Sequence, residues 1–319
     1  MVAMKGVIPN TTPLFMAGVR LLPAGLLVLG VAIMSGRPQP KGWAAWLWIF
    51  LFALVDGFMF QGFLAEGLVR TGAGLGSVMI DSQPIAVALM AWWLFQEKIG
   101  FLGLLGLAFG VAGISLLGLP DAWIVNFFQG NWSLDGASIG INLLYSLFQN
   151  GQWLMLLASL SMAVGTILMR YVSRHADPVA ATGWHMVLGG LPLFLLSAQF
   201  ESGQVVNLDL SNWLAMGYST IFGSAIAYGL FFYFASSGSL TSLSSLTFLT
   251  PVFALLFGNI FLGEMLSPIQ WGGVGLTLVS IYLINQRDVL MQKFSQLRQP
   301  AEASVSAEPS VDIKRADLT

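Results

Sequence analysis

Long apolar runs alternate with short polar breaks along this chain, near residues 15–34, 43–64, 73–95, 99–119, 153–169, 179–197, 213–234, 240–262 and 271–284. A helix needs about 20 mainly apolar residues to cross a bilayer, so the pattern predicts nine nearly complete spanning helices. Barrel strands are excluded because they alternate with period two. Open strands are excluded because lipid cannot satisfy their backbone N–H and C=O groups. The polar breaks are short except at 120–152, which is rich in Trp, Phe, Asn and Gly, and after residue 285. The apolar piece 139–148 is too short to cross, so 120–152 is expected to lie as an outer interfacial loop with Trp123, Trp132 and Trp153 at headgroup level. The last segment reads as an amphipathic stretch around Val289, Leu290, Phe294 and Leu297, followed by a Ser/Ala/Glu/Pro-rich end expected to be disordered.

Composition agrees with this pattern. Of 319 residues 56% are hydrophobic and only 9% charged, against roughly 25% charged in a soluble domain. The Lys and Arg residues near 37–41, 98, 170–174 and in the tail alternate so as to share one side, with Lys5 and Arg70 as exceptions. The positive-inside rule then places the C-terminus in the cytoplasm, in an integral, multi-pass protein of the plasma (inner) membrane. No basic patch suggests nucleic acid. Zero cysteines and two separated histidines leave no thiolate or imidazole metal site, and no cofactor is expected.

An internal repeat is the most informative feature. At an offset of 165, Lys5, Pro13, Gly18, Arg20, Gly25 and Trp48 meet Arg170, Pro178, Gly183, His185, Gly190 and Trp213. At 167, Gly62, Pro84, Glu97 and Gly106 meet Gly229, Pro251, Glu264 and Gly273. If each copy holds five helices, an odd number, the second enters the membrane from the opposite face. The expected architecture is an all-α bundle of two inverted five-helix repeats, which in secondary transporters places the substrate near the midplane between the halves. The organisation expected is a first repeat over 1–119, the loop 120–152, a second repeat over 153–285 and a tail over 286–319. Residues equivalent to 153–165 have no counterpart before Met1, so about 13 residues of a first helix are expected to be missing, through a late start or a real loss.

The stretch Arg20-Leu-Leu-Pro23-Ala-Gly25, with Pro251 to Phe253, Leu262-Gly263-Glu264, Gln270, Gly272 or Gly273, and Gly275, resembles the EamA type of the drug/metabolite transporter superfamily. The region from Met162-Ala-Val-Gly-Thr166 through Asp177-Pro178 to Gly189-Gly190-Leu-Pro192 is similar to its cyanobacterial and plastid branch. The resemblance implies ten helices, cytoplasmic termini and export of amino acids or other small metabolites, often by proton antiport.

Ionisable residues inside a bilayer are costly and mark pathways. Here they are Arg20, Asp56 and Asp81. Charge balance predicts that Arg20 pairs with one aspartate and leaves the other to exchange protons, as a desolvated carboxylate can. A structural ion pair fixing helix register is the plainer reading. Ser77, Asp81 and Pro84 share a helix face at i, i+4 and i+7, and Ser244, Thr247 and Pro251, with Thr250 beside them, form a similar stripe in the second copy. They read as a cavity lining bent by the prolines, or as hydroxyls returned to the backbone. Gln61 aligns with Tyr228 and offers a polar side chain from each copy; His185, the counterpart of Arg20, could relay protons. Glu97 and Glu264 read as helix-end anchors. Gly103, Gly106, Gly110 and Gly113 form a packing seam, within the chain or between two copies in a homodimer.

The motif Gly136-Ala-Ser138-Ile-Gly140 lacks the strand–turn–helix context of a hydrolase elbow, and no phosphate-binding loop is present. An enzyme and an ATP-driven pump are therefore set aside. The expected function is proton-coupled export of small metabolites, with a facilitative uniporter or channel as the alternative.

Overall fold

The computed structural model of the chain describes residues 1–95, 101–118, 124–125, 129, 149–231 and 249–285. Within them the chain runs through α1 (Val2–Val7), α2 (Pro13–Met34), α3 (Gly42–Arg70), α4 (Ala73–Asp81), α5 (Gln83–Phe95) and α6 (Phe101–Gly118). The second half supplies α7 (Gly151–Val172), α8 (Pro178–Phe200), α9 (Leu210–Phe231), α10 (Leu249–Leu262) and α11 (Pro268–Asn285). Among the described residues no strand occurs. The protein is an all-α membrane protein. Helices α2, α3, α7, α8 and α9 are long and apolar enough to span a bilayer, and α6 and α10 carry shorter apolar segments. Leu26, Ile33, Leu195 and Phe261 point outward, as a lipid-facing surface requires.

The helix starts follow local chemistry. Asp177 caps α8 by accepting from the backbone N–H of Val179 and Ala180, both at 3.0 Å, with Pro178 at the first helical position. Asp209 and Asn150 cap α9 and α7 in the same way. At the start of α4 the partner comes from the other half. The Glu264 carboxylate accepts from Ala73 N at 2.5 Å and Gly74 N at 2.9 Å, so this carboxylate is a helix-end anchor between the repeats.

The expected third span, 73–95, is two helices. Pro84 has no N–H to offer the Ile80 carbonyl one turn back, and the chain turns at Ser82 between α4 and α5. Ser159 on α7 donates to that carbonyl at 3.3 Å, and Gln83 Nε2 donates to Thr166 Oγ1 at 2.5 Å. The break is therefore braced from α7. Residues 232–248, which include the start of the expected span 240–262 and both Ser244 and Thr247, lie outside the described residues. So do Glu97, the 136–140 motif and the tail from 286.

Helices α2 and α8 pack antiparallel through reciprocal contacts. Gly18 faces Phe194 while Gly183 faces Leu29, and Gly25 faces Val187 while Gly190 faces Leu22. Adding 165 to Gly18, Leu22, Gly25 and Leu29 yields Gly183, Val187, Gly190 and Phe194, so each contact is the repeat image of another. A Cβ at Gly25 or Gly183 would come within 2.9 Å of a backbone nitrogen across the crossing, so only glycine admits this approach. The seam on α6 behaves likewise: Gly110 lies against Ser280 and Gly113 against Thr277 of α11. All four seam glycines are buried inside the chain, and the seam joins the last helices of the two copies rather than two molecules.

At one end of the α2–α8 pair the Arg37 guanidinium bridges to Asp177 at 3.0 Å. At the other end the Glu201 carboxylate accepts from Thr12 Oγ1 at 2.7 Å and from the backbone N–H of Leu14 and Phe15. Lys5, an exception to the charge pattern, has a local reason: its ammonium donates to the Leu68 and Thr71 carbonyls at 2.6 and 2.8 Å, closing the C-terminal end of α3.

Candidate functional site

Polar side chains from both copies meet deep between α2, α3, α8 and α9. Residues 53–60 of α3 and 221–226 of α9 wind as π-helix, and the first segment moved by 167 residues falls on the second. A π segment widens the helix by one residue, a feature often found at functional sites. Nothing in composition or spacing signals it, and sequence reasoning missed it. Asp56 sits inside the first π segment, and Gln61 and Tyr228 follow the two segments by one and two residues.

Asp56 and His185 form a buried pair with Oδ2 and Nε2 3.1 Å apart. The imidazole stacks on Phe52 with ring centroids 4.1 Å apart. Gly165 of α7 and Gly189 of α8 make room for this crossing: a Cβ on the first would strike the Asp56 side chain at 2.7 Å, and one on the second would strike Gly57 Cα at 2.4 Å. Beside the pair, Arg20 Nη2 donates to Gln61 Oε1, and Gln61 Nε2 donates to the Tyr228 hydroxyl at 3.0 Å. Arg20 Nη1 points at Met4 Sδ, 3.1 Å away. The two aligned residues Gln61 and Tyr228 thus touch each other at the repeat interface.

The expected pairing of Arg20 with an aspartate is overturned. Asp56 is taken by His185, and Asp81 accepts from Ser77 Oγ at 3.1 Å, one helical turn away. Arg20 and Asp56 lie on different helices whose facing slots are already filled, the first by Gln61 and Met4, the second by His185. The stripe in the first copy splits: Ser77 and Asp81 end α4, while Pro84 belongs to α5 beyond the break. Thr250 is exposed at the start of α10, beside Pro251. Met4, Phe52, Ser159 and Thr166 contribute contacts that the sequence did not single out. Thr166 and Ser159 lie on the buried side of α7 with an i, i+7 spacing that could have marked them. Among the described residues no group of three or more His, Cys, Asp or Glu is placed to hold a metal ion.

An all-helical chain with apolar spans, pseudo-symmetric halves and a polar cluster between them has the form of a membrane transporter rather than an enzyme. Residues 1–119 and 149–286 match the EamA-like transporter family, and the chain belongs to that family. It is 63% identical over 290 residues to an uncharacterized transporter of Synechocystis sp., covering 91% of this chain and 86% of that one. A WAT1-related chloroplastic protein of Arabidopsis thaliana is 51% identical over 289 residues, covering 89% of this chain and 66% of that protein. These two relatives agree with the cyanobacterial and plastid resemblance. An inner membrane transporter of Escherichia coli, YedA, is 28% identical over 278 residues, 85% of this chain and 81% of its own. A solved crystal structure shares the fold with a TM-score of 0.60 at 15% identity, over 88% of this chain and 89% of that chain.

Proposed function

We propose that the protein exports small metabolites such as amino acids in exchange for protons, by rocking of two inverted five-helix repeats about the cluster of Arg20, Gln61, Tyr228, Asp56 and His185. The observation that carries this reading is the meeting of one polar group from each copy, Gln61 with Tyr228 and Asp56 with His185, inside predominantly apolar helices. Reciprocal glycine contacts along α2 and α8 support the inverted repeat, because only an antiparallel arrangement of equivalent helices exchanges contacts in this way. The broken helix at Ser82 to Pro84 puts backbone carbonyls beside Asp81 and Ser77, which suits a second polar wall. In this reading Asp56 or Asp81 exchanges protons, the protein lies in the inner membrane, and its C-terminus is cytoplasmic.

The test is proton flux in everted vesicles that hold a pH gradient, with pools of amino acids, nucleobases and cationic drugs added in turn. One pool should dissipate the gradient only when the protein is present. Downhill movement of a pool with no effect on the gradient would instead make the protein a facilitative carrier.

A further inference from the structure

We infer that a phospholipid of the surrounding bilayer occupies a groove between α2, α3, α7 and α8, with one acyl chain lying along α3 and its phosphate on Arg70. The inference needs only that the chain is embedded in a membrane, and it holds whatever substrate is carried. The groove encloses about 330 Å³, at the small end of the roughly 300–1,000 Å³ of ligand pockets, so it suits one chain rather than a whole lipid. Leu154 of α7 and Leu193 of α8 are its buried floor, and Leu14 of α2 lines it as well. Residues of α3 follow its length, from Phe58 through Gly62 to Glu66 and Arg70. The helical rise from Phe58 to Arg70 is about 18 Å, close to the roughly 15 Å of hydrocarbon in one leaflet. Arg70 is the last residue of α3, so the groove runs from headgroup level toward the middle of the bilayer, which is the course of an acyl chain. Met59 and Arg70, both on its lining, are exposed, so the groove opens sideways to lipid.

Arg70 supplies the polar end. It is one of two departures from the charge pattern of the loops, and the other, Lys5, is spent on backbone carbonyls. Arg70 uses Nη1 alone, which donates to the Glu66 carbonyl at 2.8 Å and to the Glu66 carboxylate at 2.7 Å. Its Nε–H and Nη2–H, the parallel pair on the other edge of the guanidinium, meet no acceptor among the described residues. That edge matches two oxygens of a phosphate, and Glu66 steadies the guanidinium without covering it. The other carboxylate at this end of the bundle, Glu201, is occupied by the Thr12 hydroxyl and the Leu14 and Phe15 N–H groups. A basic group at headgroup level beside a gap between membrane helices attracts anionic lipid. Adding 167 to Glu66 and Arg70 gives Tyr233 and Ser237, so the second copy has no charge at either position and the shared frame does not require the pair.

The experiment is native mass spectrometry of the full chain in detergent, titrated with dioleoyl phosphatidylglycerol, with a phosphate-free galactolipid of the same chains, and with soluble glycerophosphoglycerol. The affinity of the first bound molecule is read. Phosphatidylglycerol should bind at least about tenfold more tightly than the galactolipid, and glycerophosphoglycerol, which lacks a chain, should not bind. Arg70→Gln should bring phosphatidylglycerol down to the galactolipid's affinity and leave the galactolipid unchanged. Glu66→Gln, which releases the guanidinium from its carboxylate, should bind phosphatidylglycerol as tightly as the wild type or more so. A Cβ at Gly62 would meet only Leu193, at an ordinary 3.6 Å, so Gly62→Ala should fold, while Gly62→Leu should fill the groove and weaken both lipids. Phosphatidylglycerol with a diazirine midway along its chain should label residues 58–63, and this label decides the groove if Gly62→Leu does not fold. The inference is overturned if the galactolipid binds as tightly as phosphatidylglycerol, if Arg70→Gln keeps the wild-type preference, or if Glu66→Gln weakens binding as much as Arg70→Gln does. It is also overturned if the label falls elsewhere, or if a second copy of the chain occupies the groove and Gly62→Leu dissociates a dimer.

Discussion

The two copies share a backbone plan but not a chemistry. Each has glycines at the same places on its second helix, and the contacts between α2 and α8 exchange under the repeat. Each has a π segment at the same place on its third helix. The ionisable groups do not exchange. Arg20 faces His185 in alignment, Asp56 faces Gly223, Asp81 faces Phe248, and Gln61 faces Tyr228. Of Arg20, Asp56, Asp81 and His185, the first copy therefore holds three, and the second contributes the histidine that binds one of them. In the proposed exchange mechanism, a symmetric frame would allow two equivalent ways of opening, and asymmetric charge would give the two openings different affinities for protons and substrate. Differential affinity is what lets a ligand shift such an equilibrium.

The comparison breaks first at the closest backbone approach. Gly189→Leu would push a side chain into Gly57, where even a Cβ lies 2.4 Å from the Cα. Overpacking a flexible core costs about 1–3 kcal/mol; here the obstacle is main chain, so the loss should exceed about 3 kcal/mol and appear as failure to recover folded, monodisperse protein in detergent.

A pair of matched substitutions sharpens the symmetry. Gly183→Ala meets the Leu29 side chain and its backbone nitrogen, whereas Gly18→Ala meets only the ring of Phe194, which can turn. Both should destabilise by about 1–3 kcal/mol, with Gly183→Ala the more severe in thermal unfolding. Equal costs would show that the crossing is more nearly two-fold than its side chains suggest.

The smallest effect is expected at the break in the third span. Ser159→Ala removes the 3.3 Å hydrogen bond to the Ile80 carbonyl that Pro84 leaves open. Interhelical hydrogen bonds in membranes average about 0.6 kcal/mol, so unfolding should shift only slightly. Hydrogen exchange at α4 should nonetheless rise.

Much of this frame was legible in the sequence because it depends on features that sequence displays: runs of apolar residues long enough to cross, prolines that break hydrogen bonding, glycines repeated at a fixed interval. The Pro84 break, the seam of Gly110 and Gly113 and the meeting of Gln61 with Tyr228 were all visible as positions before any geometry was known. What was not legible was partner choice. Arg20, Asp56 and Asp81 sit on three helices, and charge balance favours a salt bridge between unlike signs. The structure instead gives Asp56 to a histidine 129 residues away, because the π segment in α3 carries Asp56 towards α8 and the Gly57–Gly189 approach brings that helix within reach. Backbone widening of this kind has no period and no residue signature, so the pairing it creates could not be read in advance. The destination of the seam was equally hidden, since small residues at three and four intervals fit any closely packed partner.

The central claim is that protons enter through the asymmetric charges of the first copy while the shared frame carries the substrate. It is tested most directly by reconstituting the wild type, Asp56→Asn and Asp81→Asn in proteoliposomes and measuring substrate movement both under a pH gradient and by exchange at equal pH. The account predicts that at least one substitution abolishes gradient-driven accumulation while leaving exchange intact. Accumulation that persists undiminished in both variants would contradict it.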